Sequence, residues 1–428
     1  MESRPSPVSF GEAFRFWLKL GFISFGGPTG QIAIMHQDLV ERRRWISERR
    51  FLHALNFCMV LPGPEATQLA TYIGWLMHRT WGGIVAGTLF VLPSVFILIL
   101  LSWIYVTYGN VPLVAGIFYG IKPAVVAIVL AAAWRIAQRA LRHFALWGLA
   151  AAAFIAIFAF DAPFPAIVLA AGIIGYLGGQ YAPGIFASGS GHSAATTGYG
   201  PALIDDDTPT PAHALFSWTK LAAYSGAGLA LWAVAIGILA AAGGWQGTLV
   251  QMGLFFSQAA LLTFGGAYAV LPYVYQGAVE HYGWLTGPQM IDGLALGETT
   301  PGPLIMVVAF VGFLGAGTAG ALVAAFFTFL PSFVFIFAGA PFVETTHGNL
   351  KFSAPLTGIT AAVVGVIVNL ALFFAWHALW PQGAGGAFEW LSALIGSVAF
   401  VALFRFKAGI MPVIGACALA GLAVTLLR

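Results

Sequence analysis

Two short motifs each occur twice in this chain and in one register, which ties the fold to a duplicated unit. Phe25-Gly26-Gly27 returns as Phe264-Gly265-Gly266, and Pro62-Gly63-Pro64 returns as Pro301-Gly302-Pro303, both 239 residues on. The same offset carries Glu41 to Glu280 and Trp45 to Trp284. After a slip of one residue, Leu92-Pro93-Ser94 maps to Leu330-Pro331-Ser332, and Ala124-Val125-Val126 to Ala362-Val363-Val364. Whatever one copy folds into, the other must fold into as well.

The medium follows from composition. Apolar residues make up 60% of the chain and charged residues only 8%, against roughly 25% charged in a soluble domain. No water-facing surface can be built from that supply, so the partner of most side chains is a lipid bilayer. The polar residues before Phe10 are not followed by a short apolar core with a small-residue cleavage site, so no removable leader is expected. Cys58 and Cys417 stand alone in apolar stretches and read as buried thiols, not as a disulfide or metal site.

Charge orients the copies. Thirteen of the eighteen Lys and Arg residues fall at or before Arg142. Arg42, Arg43, Arg44, Arg49 and Arg50 crowd one segment, and its counterpart in the second copy, 280–289, has neither Lys nor Arg. Positive loops stay cytoplasmic, so the copies are expected in opposite orientations, the inverted repeat of many secondary transporters. The expected fold is an all-α polytopic membrane protein with two inverted-topology repeats, each broken or re-entrant at Gly-Gly and at Pro-Gly-Pro. The first repeat covers 10–181, a flexible cytoplasmic linker 182–213, a connecting transmembrane helix 214–242, and the second repeat 248–428. The linker, rich in Gly, Ser, Thr and Pro, is expected to be mobile and solvated.

Reading 14–40 and 51–77 as re-entrant hairpins brings the N-terminus with Arg4, the arginine cluster and Arg79 to one side; reading them as full spans does not. With hairpins, the N-terminus and Lys351 are cytoplasmic, and the C-terminus with Arg428 is periplasmic. Irregular backbone at membrane depth is tolerated only around a protein-lined or water-filled cavity. Gly followed by Pro suits a helix start, so Gly26, Gly27, Pro28, Pro62, Gly63, Pro64, Gly265, Gly266, Pro301, Gly302 and Pro303 are expected to aim half-helix N-termini at a small anion. Thr29, Gln31, Thr67, Gln68, Thr299 and Thr300 lie beside the breaks as candidate donors. Lys122, mid-span, reads as a countercharge to the anion or a partner of Glu65. Glu65 reads equally as dipole compensation in a first turn or as a proton-coupling carboxylate, and Glu298 is the other coupling candidate. Asp292 and Asn369 are weaker candidates.

Taken together, Phe25-Gly-Gly-Pro28, the stretch Glu41 to Trp45, Leu61-Pro-Gly-Pro-Glu-Ala-Thr-Gln68 and Thr300-Pro-Gly-Pro303 resemble the chromate ion transporter family in its long, two-domain form. The second copy departs from the first in lacking the Pro after Gly-Gly and the Glu after Pro-Gly-Pro. The resemblance implies export of chromate across a bacterial cytoplasmic membrane, with resistance as the outcome and sulfate as a competing mimic. Membrane potential alone favours that direction, at about 2.3 kcal/mol per charge per 100 mV. The alternatives are another oxyanion carrier, an anion channel, or a non-transporting scaffold. No nucleotide-binding loop and no metal-spaced His/Cys cluster is present, so no enzyme, cofactor or nucleic-acid partner is expected. A homodimer is left open.

Overall fold

The computed structural model describes residues 5–186, 199–264, 266–346, 353–383 and 385–427. Gly265, Arg4, Lys351, Arg428 and the linker stretch 187–198, on which expectations fall above, lie outside the described residues. The architecture is helical throughout. The first copy runs α1 (Phe10–Ile23), α2 (Gly27–His36), α3 (Glu48–Val60), α4 (Glu65–Tyr108), α5 (Pro112–Ala140), α6 (Phe144–Phe160) and α7 (Phe164–Tyr181). A single turn, α8 (Pro183–Phe186), and α9 (Trp218–Gly243) lead to the second copy. There α10 (Thr248–Leu262), α11 (Ala267–Tyr275), α12 (Gly287–Thr299), α13 (Val307–Thr346), α14 (Ser353–Leu379), α15 (Trp390–Phe404) and α16 (Ile410–Leu427) repeat the order.

Element lengths explain the layout. At 1.5 Å per residue the 14 residues of α1 and the 13 of α3 reach only about 20 Å, short of the roughly 30 Å hydrocarbon core. Neither piece crosses alone: α1 with α2 and α3 with the start of α4 are broken elements, interrupted at Gly-Gly and at Pro-Gly-Pro, as are α10 with α11 and α12 with the start of α13. Each such pair ends in one more break. Within α4 the chain turns at His78 and Arg79 (φ 57, ψ −158), and within α13 at Ala316 and Gly317 (φ 61, ψ −153). Beyond these points come the long spans. Seven stretches of the described residues are long and apolar enough to cross a membrane, among them α5, α9 and α14.

Packing crosses between the copies. The long parts of α4 and α13 run antiparallel: a side chain on Gly83 would meet Phe337, and one on Gly87 would meet Phe333. The outer helices are exchanged. In the second copy α15 and α16 pack on α5 of the first, while α6 and α7 of the first pack on α14 of the second. The tightest crossings use glycine reciprocally. A β-carbon on Gly120 would collide with the Cys417 carbonyl and Gly421, and one on Gly358 with the Ala171 carbonyl and Gly175. Such small-residue crossings let helix backbones approach where lipid offers no hydrophobic drive.

The linker departs from its expected solvated state where it is described. Ile204 bridges in parallel to Ile46, and Leu203 and Ile204 donate to the Arg44 and Trp45 carbonyls. Ser47 Oγ donates to Asp206, and Arg50 donates to the Thr208 carbonyl. Ala202 and Ile204 are buried. Its polar groups are thus held by the arginine segment, which composition alone does not reveal.

Candidate functional site at the helix breaks

Four helix starts follow the breaks, and two of those breaks are bonded to the other copy. Gly26 (φ 91), Gly63 (φ 119), Gly266 (φ 102) and Gly302 (φ 97) all adopt left-handed backbone at the bends. Pro28 lies in the first turn of α2, as Gly-Pro predicts; Pro64 and Pro303 stand one position earlier, as the N-caps of α4 and of a 3₁₀ turn ahead of α13. Three of the four outer helix starts are capped by side chains: Ser9, Ser47 and Thr286 each accept from an N–H three residues on, while α10 starts from Gly247 without one. None of the four starts at the breaks has a side-chain cap. At three of them no acidic side chain stands in the first turn to offset the positive end of the helix; at α4 Glu65 does.

The breaks are fastened to each other across the copies. The Gly63 N–H donates to the Thr263 carbonyl at 2.8 Å, and the Gly302 N–H donates to the Ser24 carbonyl at 2.8 Å. Residues 24 and 263, like 63 and 302, are counterparts, so the two bonds are one contact made twice. Gln31, fully buried, adds a staple by donating to both the Ser24 and Gly302 carbonyls. Gln68 Nε2 donates to the Pro62 carbonyl and faces Ser332.

These bonds narrow the candidate donors. The amide N–H groups of Gln31 and Gln68 are turned onto backbone carbonyls, leaving only acceptor oxygens unpaired. The hydroxyls of Thr299 and Thr300 donate to the Leu296 and Gly297 carbonyls of their own helix. Thr29 is exposed. Two hydroxyls remain buried without a partner, Thr67 Oγ1 and Ser94 Oγ. Ser94 lies against Gly302, within 3.1 Å of where a β-carbon would stand. It is one that sequence reading missed. Its only signal was the Leu-Pro-Ser repeat, where it counterparts Ser332.

The charged candidates are distributed differently from expectation. Lys122 pairs with Asp292, Nζ to Oδ2 at 3.3 Å, and not with Glu65. Glu65 sits in the first turn of α4 and makes no hydrogen bond among the described residues; the cation acting on it is Arg139. Glu298 accepts from the Tyr268 hydroxyl, and the cation acting on it is Arg135. Arg135 and Arg139 stand one turn apart on α5, both exposed. Their position at a helix end reads as topology in the sequence, and Arg135 Nε donates to the Ala131 carbonyl of its own helix.

A cavity of about 490 Å³ lies apart from the breaks, lined by Asp161, Gln276, Glu280, Asn369, Phe373 and Trp376 among others. Burial and then the neighbouring Asp161 push the Glu280 carboxyl above the usual carboxylate range. Among the described residues no group of His, Cys, Asp and Glu is arranged to hold a metal.

Comparison with known proteins places this arrangement. The profile of the family described as "Chromate transporter" matches residues 11–176 and 250–422. The chromate transport protein of Pseudomonas aeruginosa is 33% identical over 98% of this chain and 94% of its own length. That of Cupriavidus metallidurans is 30% identical over 92% of this chain and 87% of its own. A probable chromate transport protein of Synechococcus elongatus is 30% identical, covering 83% and 82%. No solved structure matches the chain.

Proposed function

The chain belongs to the chromate transporter family, and on that footing we propose that it is a secondary carrier that moves chromate outward across the cytoplasmic membrane. The observation that carries the reading is the pair of breaks at Gly63 and Gly302, each fastened to the other copy and followed by a helix start without a side-chain cap. Thr67 stands in the first turn after one and Ser94 against the other, both hydroxyls unpartnered. First-turn N–H groups and hydroxyls are the donors that a tetrahedral dianion needs. The substrate lies among Gly26, Gly27, Pro28, Gly63, Pro64, Gly266, Gly302 and Pro303. Arg135 and Arg139 draw the anion in from the cytoplasmic side, and Glu65 and Glu298 are the carboxylates available for proton coupling.

Orientation follows the same reading. The antiparallel run of α4 and α13, the arginine segment at 42–50 and its uncharged counterpart support two inverted halves. The N-terminus and linker are then cytoplasmic, α9 crosses, and the C-terminus is periplasmic. A dianion leaving a negative interior gains about 4.6 kcal/mol per 100 mV, twice the single-charge value. No ATP is needed.

The test is ligand stabilisation of the purified protein. Binding to the folded state alone stabilises by about 2.7 kcal/mol at a hundredfold excess over Kd. Chromate is expected to raise the melting temperature, with sulfate competing, and Thr67→Val with Ser94→Ala is expected to remove most of the shift. A full shift in that double variant places the anion elsewhere.

A further inference from the structure

Two charged clusters stand outside the breaks, one at each end of the α4–α13 pair. In the first, Lys122 and the Tyr105 hydroxyl both engage Asp292 Oδ2, at 3.3 and 2.8 Å. In the second, Arg50 Nη1 faces Glu344 Oε2 at 3.6 Å, and the Tyr72 hydroxyl donates to the other oxygen of Glu344. Tyr105 and Glu344 each lie a few residues from the C-terminus of α4 and α13 respectively. Because those helices run antiparallel, the clusters occupy opposite mouths.

Neither cluster is a copy of the other. The counterparts of Asp292 and Glu344 are His53 and Val106, and those of Lys122 and Arg50 are Thr360 and Gln289. Yet both have one composition: the cation and the tyrosine come from the first copy, the carboxylate from the second. Both carboxylates are nearly buried, at 4% and 7% side-chain exposure, while Lys122 keeps 30% and Arg50 14%. In the first cluster Asp292 Oδ1 is left buried without a hydrogen bond.

We propose that Asp292 and Glu344 are built-in stand-ins for the travelling oxyanion, held on the mouth cations Lys122 and Arg50 and displaced when the anion arrives. The inference rests on the carrier reading above. Removing the partner of a buried charge is costly, so a carboxylate that is to release its cation needs a second donor to stay satisfied. Here the tyrosine retains the carboxylate when the cation turns to substrate, so the exchange leaves no carboxylate bare. Once the anion moves on, the carboxylate returns and closes that mouth. An anion that must evict a carboxylate binds more weakly than it would to a free cation.

That competition gives an unusual expectation: neutralising an acidic residue tightens anion binding. Chromate Kd, read from the melting shift of the full-length protein, is expected to fall by about fivefold or more in Asp292→Asn and in Glu344→Gln, the low end of usual couplings between linked sites. Chromate efflux from proteoliposomes is expected to slow in both, since the returning carboxylate no longer expels the anion. The conservative Tyr105→Phe variant is expected to keep wild-type affinity within about twofold, because the competing carboxylate remains. Unchanged or weaker binding in well-folded Asp292→Asn and Glu344→Gln overturns the proposal while leaving the carrier reading intact. The two variants are read independently, so one that fails to fold leaves the other as the test. A wild-type protein with no chromate-dependent shift overturns the anion-site reading, and this proposal with it.

Discussion

Around Pro-Gly-Pro the two copies divide the polar residues between them. In the first copy they follow the break, as Glu65, Thr67 and Gln68, where the second has Leu304, Met306 and Val307. In the second they precede it, as Glu298, Thr299 and Thr300, where the first has Met59, Val60 and Leu61. The bend is nonetheless shared, down to the matched bonds of Gly63 to Thr263 and Gly302 to Ser24, although a 3₁₀ turn follows it in the second copy where α-helix follows in the first. A duplicated frame can therefore carry a single, composite chemistry: bends are shared, side chains are not. Solvent follows the same division. Pro62 and Glu65 are part-exposed, whereas 300–311 are all buried.

The sharpest way to break the comparison is orientation. Arg42→Cys and its counterpart His281→Cys, each exposed, are placed singly in a chain lacking Cys58 and Cys417. An impermeant thiol reagent is expected to label them from opposite faces; labelling of both from one face ends the inverted reading. Next in size are the bends. Gly63→Val and Gly302→Val combine strain at positive φ with overpacking, each on the order of 2–6 kcal/mol in total. Both are expected to abolish export. Gly63→Val is expected to be the worse folder, because its β-carbon would stand 2.5 Å from Ser332 Oγ and 2.8 Å from Gln68 Nε2. Thermal unfolding and membrane abundance check the ranking.

A smaller effect is expected where only the first copy has a staple. Gln31→Val installs the residue of the second copy (Val270) and strips a donor from the Ser24 and Gly302 carbonyls. A loss of about 1–3 kcal/mol is expected for acceptors left buried; an unchanged melting temperature shows that the reciprocal backbone bonds suffice. The smallest effect has the opposite sign. Arg79 occupies a backbone region that its counterpart Gly317 enters freely, with φ 57 against 61. Arg79→Gly is expected to relieve about 1–2 kcal/mol of strain. A lower melting temperature means that the arginine makes up its strain elsewhere.

Much of this was legible in the sequence because the bends are written in Gly and Pro, whose backbone limits do not depend on neighbours. What stayed hidden was pairing between distant segments. Lys122 meets Asp292 from the other copy, Gln31 spends its donors on a carbonyl 271 residues away, and Ile204 docks beside Ile46. Periodicity along one helix has no record of what stands opposite. Arg135 and Arg139 illustrate the same limit: at a helix end, a cation serving topology and one serving a substrate are written alike.

The crossed outer helices decide which bodies can move. With α15 and α16 seated on α5, and α6 and α7 on α14, a cut between the sequence halves does not separate the molecule into two rigid pieces. Rocking one half against the other would tear the Gly120–Gly421 and Gly358–Gly175 crossings, where backbones touch. The crossed helices bind the two sequence halves into one interlocked frame. Two half-length fragments expressed from separate messages would have to intertwine before either could become a stable membrane protein.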